Sequence, residues 1–278
     1  MTSHVSFTAD RLFEAGAGAG AILGIDTGLR LSTAAVVRGG KVIAESAVSS
    51  ASHCAGLPGQ IAGLLEFAHL SLADLAGLAV GLGPGSYTGL RVGLGYIKGL
   101  AAALALPVVG VPSLDAIAYA AAARRGAPAG SLVCPIVDAR RGEVYAALYR
   151  VGPDALEKVI DDLVTAPVHL RSHLSGEVLL AGDAQAADAA SVLESSEVRI
   201  GVLEAGGMAA VGRFVAALGA ERIGRGEAEL LAMLEPRYVR PVEATFRPAR
   251  AGSSIGTEDL WRPERKRWFA SLPTMTRN

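Results

Sequence analysis

The stretch that decides the fold is residues 21–48, AILGIDTGLRLSTAAVVRGGKVIAESAV. It begins with an apolar run that ends in the sequence D-T-G at 26–28, which is the pattern of a buried strand followed by a turn. Two β-rich runs follow, joined by Gly39 and Gly40, and this predicts a β-hairpin. The chain is therefore expected to open with three consecutive strands.

Helices and strands are expected to alternate after the hairpin. The periodicity predicts a helix over 57–68, a strand over 76–82, a helix over about 86–106, a strand over 107–111 and a helix with Ser113 as its N-cap. A comparable order restarts near Leu132, with two strands around a turn at 139–142, a helix over 167–174, a strand over 177–183 and helices over 184–193 and 206–220. Two halves of similar order predict an internal duplication.

A D-x-G turn between the first two of three opening strands, in a chain with a repeated half, is typical of the duplicated actin-like ATPase and sugar-kinase (ASKHA) fold. This is an α/β architecture of two mixed sheets with helices. We expect a first half over 21–112 and a second half over 113–236. Residues 1–20 are expected to form a flexible extension, and residues 237–278, rich in Arg, Ser, Gly and Pro without periodicity, a mostly disordered tail.

The composition limits the environment and the partners. The chain has 278 residues, of which 51% are hydrophobic and 19% charged, with a net charge of −1. This is enough for a packed core, and it gives no global attraction to nucleic acid or anionic membranes. Two distant cysteines, Cys54 and Cys134, favour a reducing compartment. No signal peptide is apparent and the apolar run over 116–123 is too short to span a membrane, so we expect a cytoplasmic protein.

Asp26, Thr27 and Gly28 are candidate nucleotide-binding residues. A carboxylate followed by a small hydroxyl residue and a glycine can hold a hydrated Mg²⁺ and admit a phosphate, although Asp and Gly are also favoured in ordinary turns. Asp138 ends a strand at the equivalent place in the second half and could face Asp26 across a cleft. These residues suggest an alternative function, a stand-alone kinase or ATPase that uses Asp26 and Asp138 to hold Mg-nucleotide. Weak binding of ATP or ADP is expected to be possible even without such an activity.

The densest glycine stretch, GLGPGSYTGLRVG at 81–93, is not a Walker phosphate loop, because no glycine–lysine pair stands at the required spacing. It is better interpreted as a strand, a tight turn and a helix capped by Ser86. A glycine inside a helix costs about 1 kcal/mol relative to alanine. Gly89 and Gly93, one turn apart, therefore suggest a close approach of two backbones, either between chains or within this one.

We favour the interface between chains. The residues assigned to this expected partner interface are Ser86, Tyr87, Gly89, Leu90, Gly93, Tyr96 and Ile97. No catalytic residue is assigned, because the sequence around Ser86 breaks the nucleophile-elbow pattern. No metal site is expected either, since the pair His169 and His173 supplies only two of the three protein ligands that catalytic zinc needs.

Five longer stretches together resemble the TsaB family, also called YeaZ. They are ILGIDTG, GLGPGSYTGLRVGLGYIKGLA, PVVGVPSLDAIA, VDARRGEVYAALY and PRYVRP, spread over about residues 22–241. The resemblance implies a non-catalytic subunit in the bacterial formation of N6-threonylcarbamoyladenosine next to the anticodon of tRNA. It implies pairing with a TsaD-type catalytic paralogue, joint action with a TsaE-type ATPase, a homodimer when alone, tRNA contact only through the complex, and no required cofactor.

The resemblance also implies where catalytic chemistry is lost. The paralogue carries an H-M-E-G-H helix whose two histidines bind the catalytic metal, and the matching stretch here is SLDAI at 113–117. Ser113 and Ile117 stand at the two ligand positions, and an isoleucine cannot ligate a metal. The chain is therefore expected to be a pseudo-enzyme. The missing histidines also argue against a metallo-glycoprotease, a label sometimes attached to this superfamily.

Overall fold

The structure is a computed structural model that describes residues 10–49, 53–182, 184–195, 198–203 and 210–240. The first half contains α1 (Asp10–Ala15), β1 (Ala21–Asp26), β2 (Leu31–Arg38), β3 (Lys41–Ser49), α2 (His53–Phe67), β4 (Leu75–Gly81), α3 (Tyr87–Leu104) and β5 (Val108–Val111). The second half contains α4 (Ser113–Arg125), β6 (Leu132–Arg140), β7 (Glu143–Val151), β8 (Leu156–Thr165), α5 (Pro167–Leu170), β9 (Gly176–Gly182), α6 (Ala184–Leu193), β10 (Val198–Leu203) and α7 (Val211–Gly224).

The strands form two five-stranded sheets with the same topology. The strand order is β3-β2-β1-β4-β5 in the first sheet and β8-β7-β6-β9-β10 in the second. In each sheet the first three strands of the half pair antiparallel, and the last two pair parallel beside the first. The matching order confirms the predicted duplicated α/β fold of the ASKHA class.

Two helices of the second half lie between the sheets. α7 packs on β1, β2 and β4 of the first sheet, α4 packs on β6 and β9 of the second, and α4 and α7 contact each other. One apolar cluster therefore joins both halves and includes Ile22, Leu114, Ile117, Val133 and Val215. α2 and α3 cover the other face of the first sheet. None of the described helices combines the length and the apolar composition that crossing a bilayer requires.

The secondary structure differs from the sequence-based expectation at four places. β8 and β10 were not predicted. The helix expected over 167–174 is only α5 followed by a 3-10 turn at 171–173. Pro112, and not Ser113, is the N-cap of α4. Ser113 is instead the first helical residue, and its hydroxyl group is bound elsewhere, as described below. The expected start of the last helix, 206–209, lies outside the described residues.

The ends of the chain also differ from expectation. Residues 10–20 were expected to be a flexible extension, but α1 buries Leu12, and the ring of Phe13 lies 5.8 Å from that of Phe214 in α7. Residues 237–240 were expected to belong to a disordered tail, but the backbone N–H of Arg237 donates to the carbonyl of Leu82 at 2.8 Å. The rest of both predicted segments, 1–9 and 241–278, lies outside the described residues.

Candidate functional site

Asp26, at the end of β1, is completely buried and both of its carboxylate oxygens are bound within the chain. Oδ1 accepts the backbone N–H of Gly28 at 2.8 Å, and Oδ2 accepts the hydroxyl of Ser113 at 2.5 Å. Burial raises the pKa of Asp26, while the hydrogen bonds from Ser113, Gly28 and Leu29 act to lower it. The carboxylate therefore fastens the turn after β1 to the start of α4.

Neighbouring groups also cover Thr27 and Gly28. Thr27 is buried and its hydroxyl donates to the carbonyl of Gly89 at 2.8 Å. The side chain of Leu90 covers Gly28, and Gly81 packs so tightly on the Asp26 carboxylate that a Cβ there would collide with it. The expectation that Asp26, Thr27 and Gly28 line a nucleotide site is therefore corrected, because they offer a phosphate or a hydrated Mg²⁺ no exposed oxygen or backbone edge.

Asp138 does not complete such a site either. It lies near the end of β6 in the second sheet, where Oδ1 accepts the backbone N–H of Arg140 at 2.7 Å. The Arg140 guanidinium lies 3.4 Å from Oδ2. The carboxylate of Asp138 thus closes its own hairpin turn, and the structure does not join it to Asp26.

Gly89 and Gly93 are buried against the same turn. A Cβ on Gly89 would collide with the carbonyl oxygen of Thr27, and one on Gly93 with the Thr27 hydroxyl. Leu90 is 2% exposed and Ile97 is fully buried. The assignment of these four α3 residues to a partner interface was therefore wrong, and the close approach that the glycines permit is within the chain.

The start of α3 agrees with the sequence-based prediction that Ser86 caps this helix. Ser86 is its N-cap and accepts the backbone N–H of Gly89 at 3.3 Å, which confirms the predicted cap. Of the residues assigned to the interface, Ser86 and Tyr87 are exposed and Tyr96 is partly exposed. These three remain available to a partner.

The outer surface of α2 and α3 carries a second set of glycines. Each has open space where a Cβ would stand, and none contacts another element there; they are Gly56, Gly59, Gly63, Gly95 and Gly99. These five residues lie on two helices that contact each other, and we call them the glycine face. Phe67, at the end of α2, is 76% exposed. Sequence reasoning missed this face, although the spacing of Gly95 and Gly99 was visible.

After α7 the chain runs beside β5, the edge strand of the first sheet, as a strap over residues 226–240. The backbone N–H of Glu229 donates to the carbonyl of Val108 at 2.8 Å, and Leu234 is fully buried. Further along, Arg240 pairs with Glu143 at the start of β7 at 2.5 Å. The strap is therefore held to both the first sheet and the hairpin of the second.

A partly buried ionic cluster joins α4, β7, β8 and the strap. Lys158 donates to Asp115 at 2.7 Å and to Asp162 at 2.8 Å, and the Tyr149 hydroxyl donates to Asp115 at 2.6 Å. Arg237 of the strap lies 3.6 Å from the second oxygen of Asp162. Burial lowers the pKa of Lys158, but the two carboxylates outweigh it and the net shift is upward. The cluster fixes the start of α4 against the second sheet.

Ser113 and Ile117, which the sequence resemblance matches to two metal-binding histidines of the paralogue, are both buried here. Ser113 is fully buried; its hydroxyl donates to Asp26 and accepts the backbone N–H of Gly83 at 3.1 Å. Ile117 is 2% exposed and belongs to the core. Within the described residues, no group of three or more His, Cys, Asp or Glu side chains is arranged to hold a metal.

Comparison with known proteins gives the family. A family model described as TsaD, tRNA N6-adenosine threonylcarbamoyltransferase, matches residues 41–222. The tRNA threonylcarbamoyladenosine biosynthesis protein TsaB of Escherichia coli (strain K12) is 35% identical over 165 residues, which span 58% of this chain and 70% of that protein. The chain belongs to the TsaB (YeaZ) family. TsaB of Bacillus subtilis (strain 168) is 37% identical over 142 residues, 51% of this chain and 60% of that protein.

A solved structure of the TsaB (YeaZ) family has the same fold. YeaZ from Pseudomonas aeruginosa superposes with a TM-score of 0.67 and 24% sequence identity, covering 79% of this chain and 99% of that one. This TsaB-family chain therefore combines the duplicated fold of YeaZ with a turn after β1 that is filled by its own side chains.

Proposed function

We propose that this TsaB-family chain is a non-catalytic subunit that pairs with a TsaD-type catalytic paralogue in the formation of N6-threonylcarbamoyladenosine on tRNA. The names of the two relatives support a part in that biosynthesis. The observation that carries the non-catalytic role is the buried hydrogen bond between Ser113 and Asp26. Ser113 stands at the position that the resemblance matches to the first metal-binding histidine of the paralogue, and in this chain its side chain stabilises the fold instead.

The second ligand position supports the same proposal. Ile117 lies in the apolar core shared by both halves and has no atom that can coordinate a metal. The rival, a stand-alone kinase or ATPase, would need Asp26 to reach Mg²⁺ or its water shell. A carboxylate that is fully buried, with both oxygens bound, cannot do so without opening the turn.

The glycine face is the surface that we assign to the partner. An exposed helix glycine costs about 1 kcal/mol relative to alanine. At Gly95 and Gly99 no contact within the described chain offsets that cost. Small residues one turn apart let a second helix approach closely. We therefore infer that α2 and α3 pack against a helix pair of the paralogue, and of a second copy when the chain is alone.

The remaining parts of the proposal concern the wider complex. A TsaE-type ATPase supplies nucleotide turnover, and this chain requires no cofactor of its own. The chain meets tRNA only within the complex. We propose the cytoplasm as the place of action, because the tRNA substrate is there.

The proposal is tested by mixing the purified chain with the paralogue from the same genome. Light scattering should report a stable pair, and tRNA modification in a reconstituted system should require both proteins. The chain alone should neither modify tRNA nor turn over ATP. Absence of pairing, or ATP turnover by the isolated chain that Asp26→Ala abolishes without unfolding it, would overturn the proposal in favour of the kinase or ATPase.

A further inference from the structure

Two tyrosines from distant parts of the chain stack on each other at the surface. Tyr87 begins α3 and Tyr238 lies on the strap, and their ring centres are 5.4 Å apart with 27° between the planes. They are 53% and 43% exposed. The guanidinium of Arg91 lies 4.6 Å from the centre of the Tyr87 ring, and its Nε donates to the Tyr238 hydroxyl at 3.2 Å. We call Tyr87, Arg91 and Tyr238 the tyrosine platform.

The platform is held in place by contacts on both sides. Tyr87 follows the N-cap residue of α3, so its backbone is fixed by the helix. Tyr238 follows Arg237, whose N–H is bound to Leu82, and precedes Arg240, which is paired with Glu143. Large aromatic rings normally contribute to a core or an interface. Here they are preorganised in solvent, which lowers the entropy cost of binding a planar ligand.

The positive charge at the platform lacks a carboxylate counterpart. Both contacts of Arg91 are to tyrosines, and no described carboxylate pairs with it. Arg30 is exposed and likewise has no partner in the described ranges; it lies in the turn whose Gly28 carbonyl accepts the N–H of Ser86, next to Tyr87.

We propose that the tyrosine platform binds an unpaired base of RNA by stacking, with Arg91 and Arg30 facing the phosphates beside it. Exposed tyrosine rings and guanidinium planes are the groups on which splayed bases of RNA loops stack. The inference rests on the proposed function, because that function brings a tRNA anticodon loop to the complex. It gives this chain a direct contact with the substrate RNA.

A protein contact is the competing assignment, since Tyr and Arg are also enriched at protein–protein hot spots. Two features favour RNA. Hot spots lie in well-packed pockets, whereas the two rings are 53% and 43% exposed and Tyr87 is flanked by the exposed polar residues Ser86 and Thr88. In addition, two arginines without a carboxylate partner provide the charge that phosphates neutralise.

The test measures RNA binding and pairing separately. The chain, assembled with the paralogue, is titrated with an anticodon stem-loop RNA and with a fully paired RNA duplex. We expect Tyr87→Ala or Tyr238→Ala to weaken loop binding about 5- to 150-fold while changing duplex binding little. Tyr87→Phe, which keeps the ring, should bind as the original chain does. Arg91→Met should also reduce the slope of log affinity against log salt by about one.

The outcomes separate this inference from the proposed function. Weaker loop binding with pairing unchanged supports the platform as an RNA contact. Equal loop binding by all variants overturns it, and so does a loss of pairing, which would make the platform a protein contact. If the original chain does not pair with the paralogue, the proposed function fails. The same titration is then made on the chain alone at low salt, where no loop binding by the original chain, or loop binding that Tyr87→Ala leaves unchanged, would overturn the inference by itself.

Discussion

The hydroxyl of Ser113 donates to the carboxylate of Asp26 at 2.5 Å, across 87 residues of sequence. Both side chains are fully buried. The bond joins the end of β1 in the first sheet to the start of α4, which packs on the second sheet. The hydroxyl of Ser113 thus serves to hold the two halves of the fold together.

Ser113→Ala should destabilise the protein. The change leaves Oδ2 of Asp26 and the N–H of Gly83 buried without this partner, and an unsatisfied buried group costs about 1–3 kcal/mol. We expect a loss of that size in the free energy of unfolding, measured by urea denaturation. Ser172→Ala, which removes an exposed hydroxyl bound to the carbonyl of His169, is the matched control. Equal stability of the two variants would contradict the assignment.

Asp26→Asn should change how stability depends on pH. Burial raises the pKa of Asp26 above its ordinary value of 3.8, so the folded protein binds this proton more tightly than the unfolded chain does. Its contribution to the free energy of unfolding is full below pH 3.8 and is lost as the pH rises through the raised pKa. Asn does not titrate, so relative to the original chain the variant should gain stability across that interval.

The measurement is the difference in unfolding free energy between Asp26→Asn and the original chain, taken by urea denaturation from acid to neutral pH. Other carboxyl groups cancel in this difference because both proteins share them. A difference that does not change with pH would mean that the Asp26 pKa is not raised in the folded state.

The two glycine pairs of α3 should respond to alanine in opposite directions. Gly89→Ala and Gly93→Ala place a Cβ against Thr27, and overpacking of this kind typically costs about 1–3 kcal/mol. Gly95→Ala and Gly99→Ala place it in open space, so each should stabilise the chain by up to about 1 kcal/mol through helix propensity. Thermal unfolding of dilute protein compares all four variants. If all four substitutions changed the stability in the same direction, the assignment of one glycine pair to the buried side of α3 and the other to its exposed side would be wrong.

The local parts of the fold could be predicted from the sequence. The apolar run of β1, the turn at 26–28 and the glycine hairpin after β2 are encoded by neighbouring residues, and so is the Ser86 cap. The orientation of α3 could not be predicted in this way. Gly89 with Gly93 and Gly95 with Gly99 have the same one-turn spacing, and only the packing of Thr27 against the first pair decides which faces inward.

β8 was missed for a different physical reason. A half-buried strand is recognised by alternating apolar residues. In β8 the partly buried positions include Lys158 and Asp162, which pair with each other in the ionic cluster, whereas Val159 is 43% exposed. These charged residues therefore interrupt the alternation by which the strand would be recognised.

The tyrosine platform could not be predicted from the sequence either, because Arg91 and Tyr238 are 147 residues apart along the chain.

The measurement that tests the central claim most directly is the dissociation constant of this chain with the TsaD-type paralogue after Gly95→Leu and Gly99→Leu. The added side chains stand in open space in the single chain, so the melting temperature should not fall and should rise slightly through helix propensity. If a partner helix lies on the glycine face, each change should weaken pairing about 5- to 150-fold. Ser191→Leu, at an exposed position on α6, should pair normally. Unchanged pairing of both glycine variants would contradict the account.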